Sequence, residues 1–274
     1  QSSHLGYVAG RSRAGPGSCI VTEQHKSTSR LLSAISLVVF LLIWELVSRA
    51  GFISSTFFPP PTKIWDSLLK LIGNGELATA LGATLLRFSA GLVCGSVLGA
   101  LLGLMMGWWP RLNALLDPFI AAVYPIPKIA IFPLLMIIFG LGEGSKFVAI
   151  LLSAFFPMLV TSLAGVRQIN KVYFEVGQNY GARGTQVLTH ILLPGSLPSL
   201  MTGLRLSTNM AFVIAISVEV ISAKTGLGVL LWFGWQTFRV SELYAVLVVI
   251  SLLGIAFNYI LERLTQASVP WMGE

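Results

Sequence analysis

Long apolar runs separated by short polar stretches organise this chain. A bilayer core of roughly 30 Å needs about 20 mostly apolar residues per helix. Runs of that kind without charge extend from Phe88 to Pro110, from Phe147 to Val166 and from Leu243 to Leu261. Three more have the length but carry ionisable groups: Leu31 to Ala50 with Glu45 near one end, Pro118 to Gly142 with Lys128, and Ser199 to Ser222 with Arg205 and Glu219. Such a group costs about 2.5 to 3.5 kcal/mol at a bilayer centre unless protein buries it or its side chain reaches the interface. The pattern predicts an all-α, polytopic membrane protein with about six transmembrane helices.

The connecting segments carry their own signals. Pro59, Pro60 and Pro61 dictate an extended stretch, after which Thr62 is the expected N-cap of a short helix with Ile64, Trp65, Leu68, Leu69 and Ile72 on one face, the pattern of an interfacial helix. Between Lys224 and Ser241, Trp232, Phe233, Trp235 and Phe238 cluster as expected at a headgroup boundary. Residues 1–30 are polar and rich in Gly, Ser and Arg, a flexible tail ahead of a transmembrane domain over 31–274. No small-residue cleavage site follows the first apolar run, which argues against a signal peptide. Arg11, Arg13, Lys26 and Arg30 place the tail in the cytoplasm by the positive-inside tendency, and an even helix count places the C-terminus there too. On that alternation nine basic residues lie inside and six outside, with Arg167, Lys171 and Arg183 in the longest inside loop.

Composition agrees: 55% of the 274 residues are hydrophobic and 11% charged, against about 25% charged in a soluble domain. The net charge of +7 is dispersed, without an aromatic-interleaved basic patch, so lipid headgroups and protein partners explain it better than nucleic acid. Cys19 and Cys94 have no metal or disulfide spacing, and His4, His25 and His190 are too scattered for a metal site. A phosphate-binding loop needs GxxxxGK[ST], and in Gly140 to Lys146 the second glycine position holds Ser145. The chain is therefore expected to hold no metal, no cofactor and no catalytic residue.

Gly91, Gly95, Gly99, Gly103 and Gly107 repeat every four residues along the second predicted helix, making a flat ridge against which another helix backbone can pack. Lys128, Arg205 and Glu219 are candidates for a solute path because intramembrane charge is costly. Their structural alternatives are snorkelling from cytoplasmic helix ends for Lys128 and Arg205, and an ion pair with Lys224 or Arg239 for Glu219.

The long loop from about 167 to 197 is amphipathic. A helix up to Tyr180, a glycine turn at Gly181 followed by Ala182, and a second helix ending before Pro194 follow from helix-stop chemistry. A helix-turn-helix held at a membrane face can insert into a groove on a partner. The spacing of Glu175, Gly181, Ile191, Leu193 and Pro194 resembles the EAA signature of ABC importer permeases, with Val176 and Gly177 in place of two alanines. Gly177 is expected to loosen its helix by about 1 kcal/mol relative to Ala. Phe58 to Pro61, Gly140 to Lys146, Leu193 to Pro198, Gly203 to Arg205 and the Pro270-Trp271 ending resemble the nitrate, sulfonate, taurine and bicarbonate branch of those permeases.

The resemblance implies a type I ABC importer-like permease fold in a bacterial inner membrane. It also implies a homodimer of this chain, two cytoplasmic ATP-binding-cassette ATPase subunits that bind ATP and Mg, and an external solute-binding protein. The solute is then a small anion such as a sulfonate, nitrate or bicarbonate, with a thiamine-precursor-type heterocycle as the competitor. Two other classes remain open from the residues. An ion- or proton-coupled secondary carrier would rely on Glu45 and Glu219. A membrane-embedded transferase would need clustered His, Asp or Glu at one face, whereas Asp66 and Asp117 are assigned to opposite sides.

Overall fold

The structure, a computed structural model, describes residues 18–50, 54 and 56–269. The stretch before residue 18 and the Pro270-Trp271 ending lie outside these. The chain divides into two compact units, one up to Thr62 and one from Lys63 onward.

In the first unit, α1 (Ser18–Arg49) contains the expected first span and begins well before it, so the helix takes in residues assigned from sequence to a flexible tail. Its apolar side chains Leu37, Phe40, Leu42, Ile43 and Leu46 are exposed. Trp44 stacks on Phe58 at 5.1 Å, and the Ser48 hydroxyl donates to the Phe58 carbonyl at 2.6 Å. Glu45 accepts from the Arg49 Nε at 2.5 Å and from the Thr62 hydroxyl and N–H at 2.9 and 3.2 Å. Thr62 is not the N-cap expected of it. The short helix α2 (Pro61–Gly73) starts on Pro61, whose missing N–H costs nothing at a first helical position.

In α2 the apolar residues share one face, as expected, with burial falling across it. Ile64 and Leu71 are buried while Trp65, Leu69 and Ile72 stay exposed. The second unit is otherwise built on α3 (Glu76–Trp108), α6 (Glu143–Gln168) and α9 (Leu193–Ser222), with α3 against α6 and α6 against α9 as the most extensive contacts. The cluster of Phe88, Phe132, Leu135, Ile150, Phe212 and Val218 forms the core beside them. Phe88, Phe212 and Phe257 interlock with ring centroids 4.7 to 5.5 Å apart. Around this centre lie α4 (Pro110–Val123), α5 (Lys128–Phe139), α10 (Leu227–Gln236) and α11 (Val240–Ser268).

Among the described residues, α3, α6, the continuous stretch Thr185–Ser222 and α11 are long and apolar enough to cross a membrane. The span expected from Pro118 to Gly142 is instead broken: α4 and α5 meet at 99°. Tyr124 precedes Pro125 and Ile126 precedes Pro127, and a residue before proline is pushed out of helical conformation, so two such steps in succession end α4.

The loop after α6 folds into α7 (Lys171–Asn179), a turn, and α8 (Thr185–Val187), which passes through a π turn, Leu188–Leu192, into α9. The expected break before Pro194 does not occur. The Leu193 N–H reaches back to the Leu188 carbonyl, and this wider turn leaves room for a proline that can neither donate to nor pack closely over the preceding turn. Helix and loop therefore form one continuous rod of 38 residues.

Candidate functional site

Small residues determine how closely the central helices approach. A Cβ built on Gly91 would meet Ile150, on Gly95 the Leu151 carbonyl and Ala154, on Gly99 the Phe155 carbonyl and Met158, on Gly103 the Leu159 carbonyl and Ser162, and on Gly107 Val166. All five glycines of the ridge thus face α6 of the same chain, with α6 backbone against the first four and the Val166 side chain against Gly107. On a second flank of α6, Gly203 sits against Thr161 and Met158, and Gly165 against Ser199 and Ser196. The Ser207 hydroxyl donates to the Ala154 carbonyl at 2.7 Å. The pairing of 165 with 199, 161 with 203 and 154 with 207 makes α9 antiparallel to α6.

That register sets the depth of the candidate charges. Lys128 opens α5 at the elbow with α4, and its ammonium lies 4.4 Å from the centre of the Phe156 ring. Phe156 is midway along the 26 residues of α6. Lys128 is therefore level with the middle of a span, not at a cytoplasmic helix end, and snorkelling does not describe it. Its Nζ donates to the carbonyls of Val123, Tyr124 and Ile126 at 3.0, 2.9 and 2.9 Å. The Val123 carbonyl also accepts from the Ile126 N–H at 3.2 Å; carbonyls at and just past the end of a helix lack the bonds of its interior, and a cation there also meets the negative end of the helix dipole.

A cleft of about 260 Å³ opens beside it, walled by Tyr124, Phe156, Pro157, Met210, Val213 and Ile214 among others. A second, of about 420 Å³, continues along α4 and α6 past Val160 and Leu163 to Asp117 and Arg167. Tyr124 lines both.

Arg205 lies between Gly203 and Ser207 and so at similar depth, but on another side of α9. It is exposed, with its Nε donating to Asn258 of α11 at 3.4 Å. It does not line the Lys128 cleft.

Glu219 is elsewhere again, 1% exposed, at the far end of α9. Its carboxylate accepts from the Thr84 hydroxyl at 2.8 Å, the Arg87 guanidinium at 2.8 Å and the Gly228 N–H at 3.0 Å. Arg87 also reaches both oxygens of Glu143, at 2.5 and 3.0 Å, and the Thr225 carbonyl at 2.6 Å. Lys146 completes the cluster on Glu143 at 3.1 Å. Two cations and two carboxylates thus tie α3, α6, α9 and the α9–α10 turn together. Gly226, at φ 138°, presses on the carboxylate so closely that a Cβ would collide with it.

The partner of Glu219 is Arg87, neither Lys224 nor Arg239; Arg239 pairs with Glu242 at 3.6 Å. Sequence reasoning missed Arg87 because it stands one residue before an uncharged run and reads as a flank. The available signal was Thr84 and Arg87 on one face of a helix already expected to be packed.

In the loop, the Asn170 side chain caps α7 by accepting from the Val172 N–H at 3.0 Å. Gly181 turns the chain at φ 77° with no atom within 4 Å of where a Cβ would stand. Its backbone conformation, not a lack of room, is what demands glycine. Gly177 packs on Ile191, whose Cδ1 is 2.7 Å from that position. Glu175 and Ala182 lie on the two arms of this turn, while Leu193 and Pro194 begin α9. Val172, Tyr173, Val176, Tyr180 and Leu188 are all exposed around it.

Residues 95–274 match the family model described as the binding-protein-dependent transport system inner membrane component. The taurine transport system permease protein TauC of Escherichia coli (strain K12) is 33% identical over 248 residues, covering 89% of this chain and 90% of that one. The formylaminopyrimidine transport permease protein ThiX of Halalkalibacterium halodurans is 31% identical, covering 90% and 98%. The putative aliphatic sulfonates transport permease protein SsuC of Bacillus subtilis (strain 168) is 28% identical, covering 85% and 84%. Among solved structures, an inward-facing form of the MetNI methionine ABC transporter superimposes with a TM-score of 0.55 at 19% identity, over 76% of this chain and 98% of that one.

Proposed function

Because this chain belongs to the family of binding-protein-dependent transport system inner membrane components, we propose that it passes a small anion, with a sulfonate preferred over nitrate or bicarbonate, along a path beside Lys128. The chain is the all-α, multi-pass permease subunit of an ATP-binding-cassette importer. Relatives named for taurine and aliphatic sulfonates support the choice of solute. Lys128, which unlike Arg205 lines the cleft at mid-depth, supports the choice of path. Arg205 is assigned to the flank of that path, and Glu219 to holding helices together.

The observation that carries the coupling role is the exposed apolar surface around the Gly181 turn, formed by Val172, Tyr173, Val176 and Tyr180. Aromatic and apolar side chains on a short helix at a membrane face suit insertion into a partner's groove. In this reading two cytoplasmic ATPase subunits hold ATP and Mg and grip the segment from Glu175 to Pro194. Closure of those subunits moves the rod from α8 through α9, and the helices reorient in alternating access. A second copy of this chain completes the path, and a solute-binding protein delivers cargo to the opposite face. Both termini are cytoplasmic in a bacterial inner membrane, which puts the Arg87 and Glu219 cluster at the external side. A secondary carrier would need free carboxylates, but Glu219 is held by Arg87 and Glu45 by Arg49 and Thr62.

The test is purification of the chain with its bound subunits and reconstitution with a binding protein loaded with the solute under test. ATP-dependent uptake of labelled taurine or butanesulfonate is expected. Uptake of a formylaminopyrimidine in their place would reject the anion, and uptake without ATP would reject the importer.

A further inference from the structure

The two clefts along α4 and α6 lie in series and share one side chain, Tyr124. The cleft at mid-depth contains one formal charge, that of Lys128, and no carboxylate lines it. The three Lys128 protons are already held by the Val123, Tyr124 and Ile126 carbonyls. The site therefore offers a visitor positive potential but few hydrogen-bond donors. Strongly hydrated anions lose water there without replacement, whereas an anion of low hydration demand loses little. Ser153 also lines the cleft, but its hydroxyl donates to the Ala149 carbonyl at 2.7 Å, and apart from the Tyr124 hydroxyl the rest of the wall, with Phe156, Pro157, Met210, Val213 and Ile214, gains from apolar contact. At about 260 Å³ the cleft is smaller than the roughly 300–1,000 Å³ of sites for drug-sized ligands.

Resting on the reading of this chain as an anion importer, we infer that the Lys128 cleft is the solute's halting place at mid-membrane, that it takes a small organic anion with an apolar body, and that Tyr124 is the door between it and the inner cleft. An alkanesulfonate meets both demands, with its head near the ammonium and its chain on Met210 and Val213. The second charge of an aminosulfonate finds no carboxylate there. The inner cleft, lined by both Asp117 and Arg167, has no single sign to hold an anion, so a solute that passes Tyr124 is released.

The test measures turnover of the complete reconstituted importer at saturating binding protein charged with butanesulfonate, taurine or nitrate, so that the partner's own affinity drops out. Val213 is 62% exposed, so Val213→Trp fills the cleft from its open side without entering the core. It should cut butanesulfonate turnover about tenfold or more while the complex elutes intact. Lys128→Met should do the same if it assembles, and Lys128→Arg should restore much of the loss. Tyr124→Ala keeps the carbonyl that Lys128 uses and should let preloaded butanesulfonate leave vesicles without ATP.

Wild-type turnover in Val213→Trp overturns the halting place, and tight vesicles with Tyr124→Ala overturn the door. Faster turnover with nitrate or taurine than with butanesulfonate overturns the apolar body. If the wild-type importer moves none of the three, the anion reading has failed before any variant is compared.

Discussion

Arg87 holds two carboxylates at nearly the same distance, Glu219 at 2.8 Å and Glu143 at 2.5 Å, but the Glu219 side chain is 0% exposed and that of Glu143 64%. Distance alone predicts similar contributions to stability, and burial predicts very different ones. Removing one partner of a buried ion pair costs about 3–5 kcal/mol, because the other charge is left uncompensated, whereas an exposed pair contributes about 0.2–1 kcal/mol. Glu219→Ala takes one of the two carboxylates that Arg87 holds and leaves the buried Thr84 hydroxyl and the Gly228 N–H without their acceptor, at about 1–3 kcal/mol for each unpaired group, so its cost is of the buried-pair order. At about 2–4 °C per kcal/mol for a chain of this size, the expected fall in melting temperature is about 6–20 °C. Glu143→Ala should lower it less, since the carboxylate it removes is exposed and Arg87 keeps Glu219 and the Thr225 carbonyl; what it costs comes mainly from the buried Lys146, which loses its ion pair with Glu143. Glu219→Gln, which keeps the shape and one acceptor, should fall between them. Melting of the detergent-purified chain, followed by fluorescence-detected size exclusion, gives all three values on one scale. If Glu143→Ala and Glu219→Ala melt within about 2 °C of each other, burial is not what distinguishes the two carboxylates, and the account of the cluster is wrong.

Three other outcomes follow from the same geometry. Gly99→Leu should abolish recovery of folded protein, since the Phe155 carbonyl and Met158 occupy the space its side chain needs; normal assembly and uptake would mean that the seam tolerates separation. Gly181→Asp should keep normal membrane abundance but lose transport and co-purification of the ATPase, and Gly181→Asn, which tolerates a positive φ at less cost, should retain more of both; equal losses would point to side-chain interference at the docking face instead of backbone strain. For topology, Leu141→Cys, at an exposed position, should be labelled only from outside and Tyr180→Cys only from the cytoplasm, and the reverse pattern would invert the whole arrangement.

The parts of the fold that were legible in the sequence are those that rest on repeats along one helix. The glycines from Gly91 to Gly107 announced a packed face because their spacing matches the helical turn. Their partner could not be named, since the side of α6 that receives them is made of Ile150, Leu151, Ala154 and Phe155, residues that suit lipid equally well. Lys128 stood out as a costly charge, but its depth was misjudged because the Pro125 and Pro127 elbow converts what looks like a helix end into mid-span. Glu219 stood out for the same reason, but its partner is 132 positions away in sequence, beyond any local pattern. Pro194 was read as a stop because proline usually is one, and a π turn is set by backbone geometry that composition does not encode. The turn at Gly181 was legible from helix-stop chemistry, and its positive φ is the reason it needs glycine.

The glycine seam also limits how this helix can change over evolutionary time. An α-helix advances about 100° per residue, so a single codon gained or lost between Gly91 and Gly107 would swing every glycine beyond that point off α6 and bring bulky neighbours such as Leu98 or Leu102 round to face it. Substitutions on the outward side are tolerated one at a time, but insertions and deletions have no intermediate that packs. The length of this segment should be frozen while its outer surface drifts, and functional chimaeras between related permeases should have their junctions outside it, in the turns before Glu76 or after Trp108.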